Sequence, residues 1–133
     1  MRKFLVSMVI MLMAVSASAQ NYTNEDGTYD VYCDIMGYNF WGAGKIKVLI
    51  DLGAVSAGHT FESIYENGQK KKFNTMIEAL DYMARRGWKV QSTYVAAESQ
   101  GLRGQQNVIH YLLIKKVKSD EEIRAGLDTK EDD

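Results

Sequence analysis

One stretch decides which architectures are open to this chain. Between Asn74 and Gly87, the apolar residues Met76, Ile77, Leu80, Met83 and Ala84 recur at intervals of three and four. That period predicts a helix with one apolar stripe. Thr75 and Glu78 have capping-box spacing, with Asn74 as an alternative cap. Arg85 and Arg86 fall in the last turn, where cations favour the helix dipole. Gly87 can take the left-handed conformation that ends a helix. Trp88 then opens a strand and is expected to share one face with Val90, Ser92 and Tyr94. A large aromatic just past the cap can fold back over the helix end and seal the junction with a sheet. One helix cannot bury its stripe alone, so the rest of the chain must supply the opposing layer.

The remaining segments read as strands. In "YDVYCDI", Tyr29, Val31, Cys33 and Ile35 alternate with Asp30, Tyr32 and Asp34, which predicts a strand over 28–36. In "KIKVLIDL", 45–52, Ile46, Val48, Ile50 and Leu52 face away from Lys45, Lys47 and Asp51. Asn67-Gly68 tolerates positive φ and predicts a type I′ hairpin turn within "HTFESIYENGQKKKF". "NVIHYLLIKKV", 107–117, is apolar on both faces, as a strand with neighbours on either side would be. The stretches 37–45 and 96–106 read as loops, and Ser119 with Glu122 marks a short C-terminal helix. The fold class expected is α+β, a mostly antiparallel sheet with one main amphipathic helix packed on one face, plus that short helix.

The first nineteen residues stand apart. Arg2 and Lys3 precede an apolar run from Phe4 to Val15, and Ala17-Ser18-Ala19 follows. This is the order of a secretory signal with cleavage after Ala19, and the run is short for a bilayer of roughly 30 Å. Export to the periplasm or beyond is the expectation, with no membrane span in the mature chain. Residues 20–27 read as a flexible start, 28–118 as one domain and 119–133 as an acidic, partly helical tail. Loss of 1–19 removes two of 16 cations and none of 17 acids, leaving a net charge of −3. No half is strongly basic, which argues against nucleic acid as a partner.

Chemistry-bearing residues are sparse. Cys33 is the only cysteine, so no disulfide can form within the chain. It lies on the apolar side of its strand, and a buried structural thiol is expected. His59 and His110 show no zinc-ligand spacing, so neither a metal nor another cofactor is expected. Asp30 and Asp34 share a strand face and could act as paired carboxylates. His110, mid-strand between Ile109 and Tyr111, is expected to partner a hydroxyl or backbone group, and no residue is assigned a catalytic role.

Binding is better represented. "GYNFWGAGK" carries Tyr38, Phe40 and Trp41, flat aromatics of the kind that anchor interfaces or stack on sugar rings. With Leu102 and Arg103 in the later loop, they form the candidate surface for a ligand or partner. Lys45, Lys47, Lys70 and Lys72 form a candidate basic stripe, although lysines on strands also guard sheets against aggregation.

"FNTMIEALDYMARRGWKVQSTYV", a loop and then "VIHYLLIKKV" resemble a domain-of-unknown-function family in which a helix ends in Gly-Trp and two antiparallel strands follow. The segments ahead of the helix are similar to small exported proteins of Bacteroides-type bacteria. The resemblance spans roughly 28–118 and rests on Leu80, Gly87, Trp88 and the last strand. Those positions are structural, so it implies the fold and carries over no catalytic residue. The function expected is a small, exported, non-enzymatic binding or interaction module with a protein or glycan partner. A small hydrolase or an enzyme inhibitor using Asp30, Asp34 or His110 is the alternative. A self-assembling protein that pairs through a sheet edge is a third possibility.

Overall fold

A computed structural model of the chain describes residues 23–39, 44–53, 61–99, 102 and 104–132. In chain order the elements are β1 (Tyr29–Asn39), β2 (Ile46–Asp51), β3 (Glu62–Glu66), β4 (Gln69–Lys70) and β5 (Lys72–Phe73). Then come α1 (Met76–Ala84), β6 (Lys89–Ser99), β7 (Gln105–Val117), a 3-10 turn (Asp120–Arg124) and β8 (Asp128–Glu131). The strands form one sheet in the order β4-β3-β2-β1-β7-β6, with β5 paired to β2 and β8 to β3. Every pairing among the described residues is antiparallel. No helix among them is long and apolar enough to cross a membrane.

The helix forms over the expected stretch, but its buried residues are Ala79, Tyr82 and Met83, while Ile77 and Ala84 of the expected stripe are exposed. Thr75 is extended, and its hydroxyl accepts the Glu78 amide at 3.1 Å. The Glu78 carboxylate accepts the Asn74 backbone amide at 2.7 Å, so Thr75 is the cap and Asn74 is held one residue ahead of it. At the far end the Gly87 amide donates to Ala84 O at 3.0 Å and the Trp88 amide to Met83 O at 3.2 Å. These two bonds make a Schellman motif, and Gly87 supplies its left-handed residue at φ +91°. Trp88 is thereby turned inward and is buried. Ala79, Tyr82 and Met83 of α1 join Cys33, Ile35, Val48, Ile50, Ile64, Phe73, Trp88 and Leu113 in one hydrophobic cluster. The ring of Tyr82 meets that of Phe73 edge-on, 5.4 Å between centroids.

Asn67 and Gly68 both have positive φ, 53° and 78°, and join β3 to β4 as the hairpin signal predicts. Two loops are shorter than expected. β1 runs on through Tyr38 to Asn39, and β6 and β7 extend into the 96–106 stretch to Ser99 and from Gln105. A bulge between Val90 and Ser92 changes the facing of β6. Val90 pairs with Leu113 on the core side, while Ser92 and Tyr94 pair with Leu112 and His110 on the other. The single face expected for Trp88, Val90, Ser92 and Tyr94 is therefore broken at Gln91.

The acidic segment 119–133 reads from the sequence as a partly helical tail. It holds only a five-residue 3-10 turn before β8 pairs along β3, from Glu62↔Glu131 to Tyr65↔Asp128. Arg124 clamps Glu62 through two nitrogens at 2.8 and 3.0 Å. Asp132 accepts from Lys47 at 2.6 Å, Ser63 at 2.7 Å and Lys70 at 3.2 Å. Lys47 and Lys70 of the main domain, and Arg124 of the segment itself, thus tie the end of the chain to the sheet.

Candidate functional site

The face of the sheet opposite Cys33 carries a polar cluster that strand register assembles. On β1 this face bears Asp30, Tyr32, Asp34, Met36 and Tyr38, because successive residues alternate sides. Met36 pairs with His110 and Asp34 with Leu112. Tyr94 pairs with His110 and Glu98 with Gln106, which brings both β6 residues to the same side.

His110 is the centre of the cluster and is 4% exposed. Its Nδ1 lies 3.1 and 3.2 Å from the two carboxylate oxygens of Asp34, and its Nε2 lies 3.0 Å from Glu98 Oε1. A ring carrying both protons donates on both sides, whereas a ring with one proton donates on one side only. Each carboxylate also takes a tyrosine hydroxyl, Asp34 from Tyr94 and Glu98 from Tyr38. The Tyr38 hydroxyl lies 3.0 Å from Met36 Sδ as well. Tyr94 lies flat on the imidazole, ring centroids 4.6 Å apart and planes at 18°. Its hydroxyl pKa is pushed up to about 12, first by the hydrogen bond to Asp34 and then by desolvation. Burial, followed by the bond to Glu98, raises that of Tyr38.

This arrangement is closed on itself. Both imidazole nitrogens are engaged by carboxylates, and each carboxylate is also held by a phenol. A general base must reach the proton it removes, and His110 is covered by Tyr94. Among the described residues no group of His, Cys, Asp or Glu is arranged to hold a metal ion. The outward ring of Tyr94 is the accessible part, 46% exposed, with Tyr32 also exposed on the same face.

The candidates chosen from sequence are dispersed. Tyr38 is on β1 within the cluster, not in a loop. Leu102, between β6 and β7 in the chain, stands fully exposed. Phe40, Trp41 and Arg103 lie outside the described residues. The basic stripe does come together, since Lys47 and Lys72 are partners across β2 and β5. But Lys47 and Lys70 both bind Asp132, so the stripe is partly neutralised by the C-terminal segment. Lys45 is exposed just ahead of β2. A cavity of about 250 Å³ lies elsewhere, lined by Asp30, Gly87, Lys89, Ile114, Lys115 and Lys116. Lys115 there donates to the Glu122 carbonyl at 2.6 Å.

Sequence reasoning missed Glu98, which read as loop, and the position of Tyr94. The hydroxyl or backbone partner expected for His110 is replaced by two carboxylates. The only local signal was that His110 interrupts a strand that is apolar on both faces. Comparison of the chain with protein-family models, with characterised proteins and with solved structures finds no match.

Proposed function

We propose that this chain is an exported, non-enzymatic binding module that recognises a glycan on the Asp34 face of its sheet. The observation that carries this is Tyr94, a half-exposed ring held flat by His110 beneath it and by Asp34 at its hydroxyl. A pre-set aromatic plane loses little freedom on binding. Sugar rings present flat C–H faces that stack on such a plane, and nearby carboxylates accept hydrogen bonds from hydroxyls. In this reading α1 covers the Cys33 face of the sheet, which leaves the Asp34 face to the ligand. The closure of the His110 network favours binding over hydrolysis. The N-terminal charged, apolar and small-residue pattern supports export with cleavage after Ala19. The helix–Gly-Trp–strand–strand order supports kinship with the family it resembles.

The test is titration calorimetry of the purified protein against soluble polysaccharides and cell-wall oligosaccharides. Tyr94→Ala should weaken the glycan that binds by roughly 30-fold, the cost of losing an aromatic anchor of about 2 kcal/mol. Tyr94→Phe should retain most of the affinity. Unchanged binding by Tyr94→Ala, or no binding by any glycan, would sink the reading. Export is checked by sequencing the N-terminus of protein from the cell envelope, which should begin at Gln20.

A further inference from the structure

The two edges of the sheet are built differently. At one side β8 lies along β3 and its four residues, Asp128 to Glu131, include three charges. Charges of this kind discourage another strand from adding to an edge. At the other side β6 is eleven residues long, and among the described residues it pairs only with β7. From Val90 to Ala97 it reads "VQSTYVAA", without a charge or a proline. Val95 and its cross-strand partner Ile109 are 63% and 52% exposed on the side opposite Tyr94.

From this we infer that β6 pairs antiparallel with β6 of a second copy of the chain, about a two-fold axis through Val95. Symmetry favours a second copy over an unrelated strand. Near a two-fold axis every residue meets its own copy or a near neighbour, so a charge there would meet itself. The eight uncharged residues avoid that clash. Strand partners must also point the same way, so within Ser92–Ser99 the axis has to pass through a residue, not between two. With Val95 on the axis, Tyr94 faces Ala96, Thr93 faces Ala97 and Ser92 faces Glu98 of the other copy. No like charges meet, and the exposed Val95 and Ile109 of both copies form one apolar patch. The bulge at Gln91 ends the pairable stretch. The inference does not depend on a glycan ligand, because it uses the backbone edge and the Val95 side of β6.

Sedimentation velocity on the purified protein, from about 1 to about 100 μM, tests it across the range of weak self-association. The expected result is a concentration-dependent species of twice the monomer mass. Val95→Lys places like charges on the axis and should raise the dissociation constant about 100-fold, while Ile109→Lys should raise it about 10-fold. Both side chains are exposed, so thermal midpoints should match the wild type at concentrations where the wild type is monomeric. Edge-facing amides within Ser92–Glu98 should gain exchange protection with concentration. A monomer throughout would overturn the inference and leave the edge to an extended segment of another protein. A dimer that ignores Val95→Lys would overturn it by placing the interface elsewhere.

Discussion

Tyr94 lies on His110 with their ring planes only 18° apart, and its hydroxyl donates to the same carboxylate that faces His110 Nδ1. The stack and the hydrogen bond fix one side chain from two directions. His110 therefore acts as the floor of the exposed ring and as the bridge between Asp34 and Glu98. Replacing it by alanine should remove the floor and the imidazole that lies between the two carboxylates. The expected loss is about 2–4 kcal/mol, since a buried ring is removed and each carboxylate loses one of its partners. Urea unfolding measures it, and a loss below about 0.5 kcal/mol would show that the network contributes nothing.

The helix end should be equally sensitive. Trp88 is 1% exposed and packs with Met83 in the core cluster. Its indole Nε1 has no hydrogen-bond partner, so its contribution comes from packing. Trp88→Ala should cost about 3–5 kcal/mol. Gly87→Ala should cost about 1–2 kcal/mol through the left-handed backbone alone, and its methyl would also sit 3.3 Å from Lys115 Cε. Thermal unfolding should show drops of several degrees or more for both. A neutral Gly87→Ala would contradict the helix termination described.

Docking of β8 should weaken in acid. The Arg124 clamp, working against desolvation, holds Glu62 below the usual carboxylate range. Burial would raise Asp132, but hydrogen bonds from Lys47, Ser63 and Lys70 outweigh it and leave it lowered. A carboxylate with a depressed folded pKa adds stability that is present above its unfolded pKa. That stability is lost as pH falls through the folded value. Exchange of β8 amides should therefore accelerate below about pH 4 at constant temperature, after correction for intrinsic rates. Asp132→Asn should flatten that dependence, and an identical profile in the variant would refute the assignment.

Cys33 should be inert in the folded protein. Burial pushes its thiol up to about 12, and the negative charges of Asp34 and Asp51 add to the effect. The thiolate is the reactive form, so almost none is present at neutral pH. A disulfide reagent should label Cys33 only after denaturant is added. Rapid labelling of native protein would show that the β1–β7 core opens readily. Cys33→Ser should cost about 1–3 kcal/mol by burying a hydroxyl.

Much of the fold was legible before any coordinates. The cap at Thr75, the stop at Gly87 and the turn at Asn67-Gly68 each depend on residues within about one helical turn of one another. Their chemistry is read from the sequence because their partners are local. The same holds for the buried side of β1, where alternation of Val31, Cys33 and Ile35 is enough.

The cluster on the opposite face was not legible. Asp34 and His110 are 76 residues apart, and Tyr38 and Glu98 are 60 apart. A shift of one residue between β1 and β7 would turn His110 to the other side of the sheet. The bulge at Gln91 decides where Tyr94 points, and no residue near it announces a bulge. β8 has no apolar alternation and pairs only because β3 offers it an edge and Arg124 a clamp. By itself the sequence determined the local elements and the side of β1 that is buried, since short-range sterics and hydrophobic period fix them. Which polar residues meet, and which strand ends the sheet among the described residues, was decided by the tertiary structure, because register is chosen by the packing of whole strand faces at once.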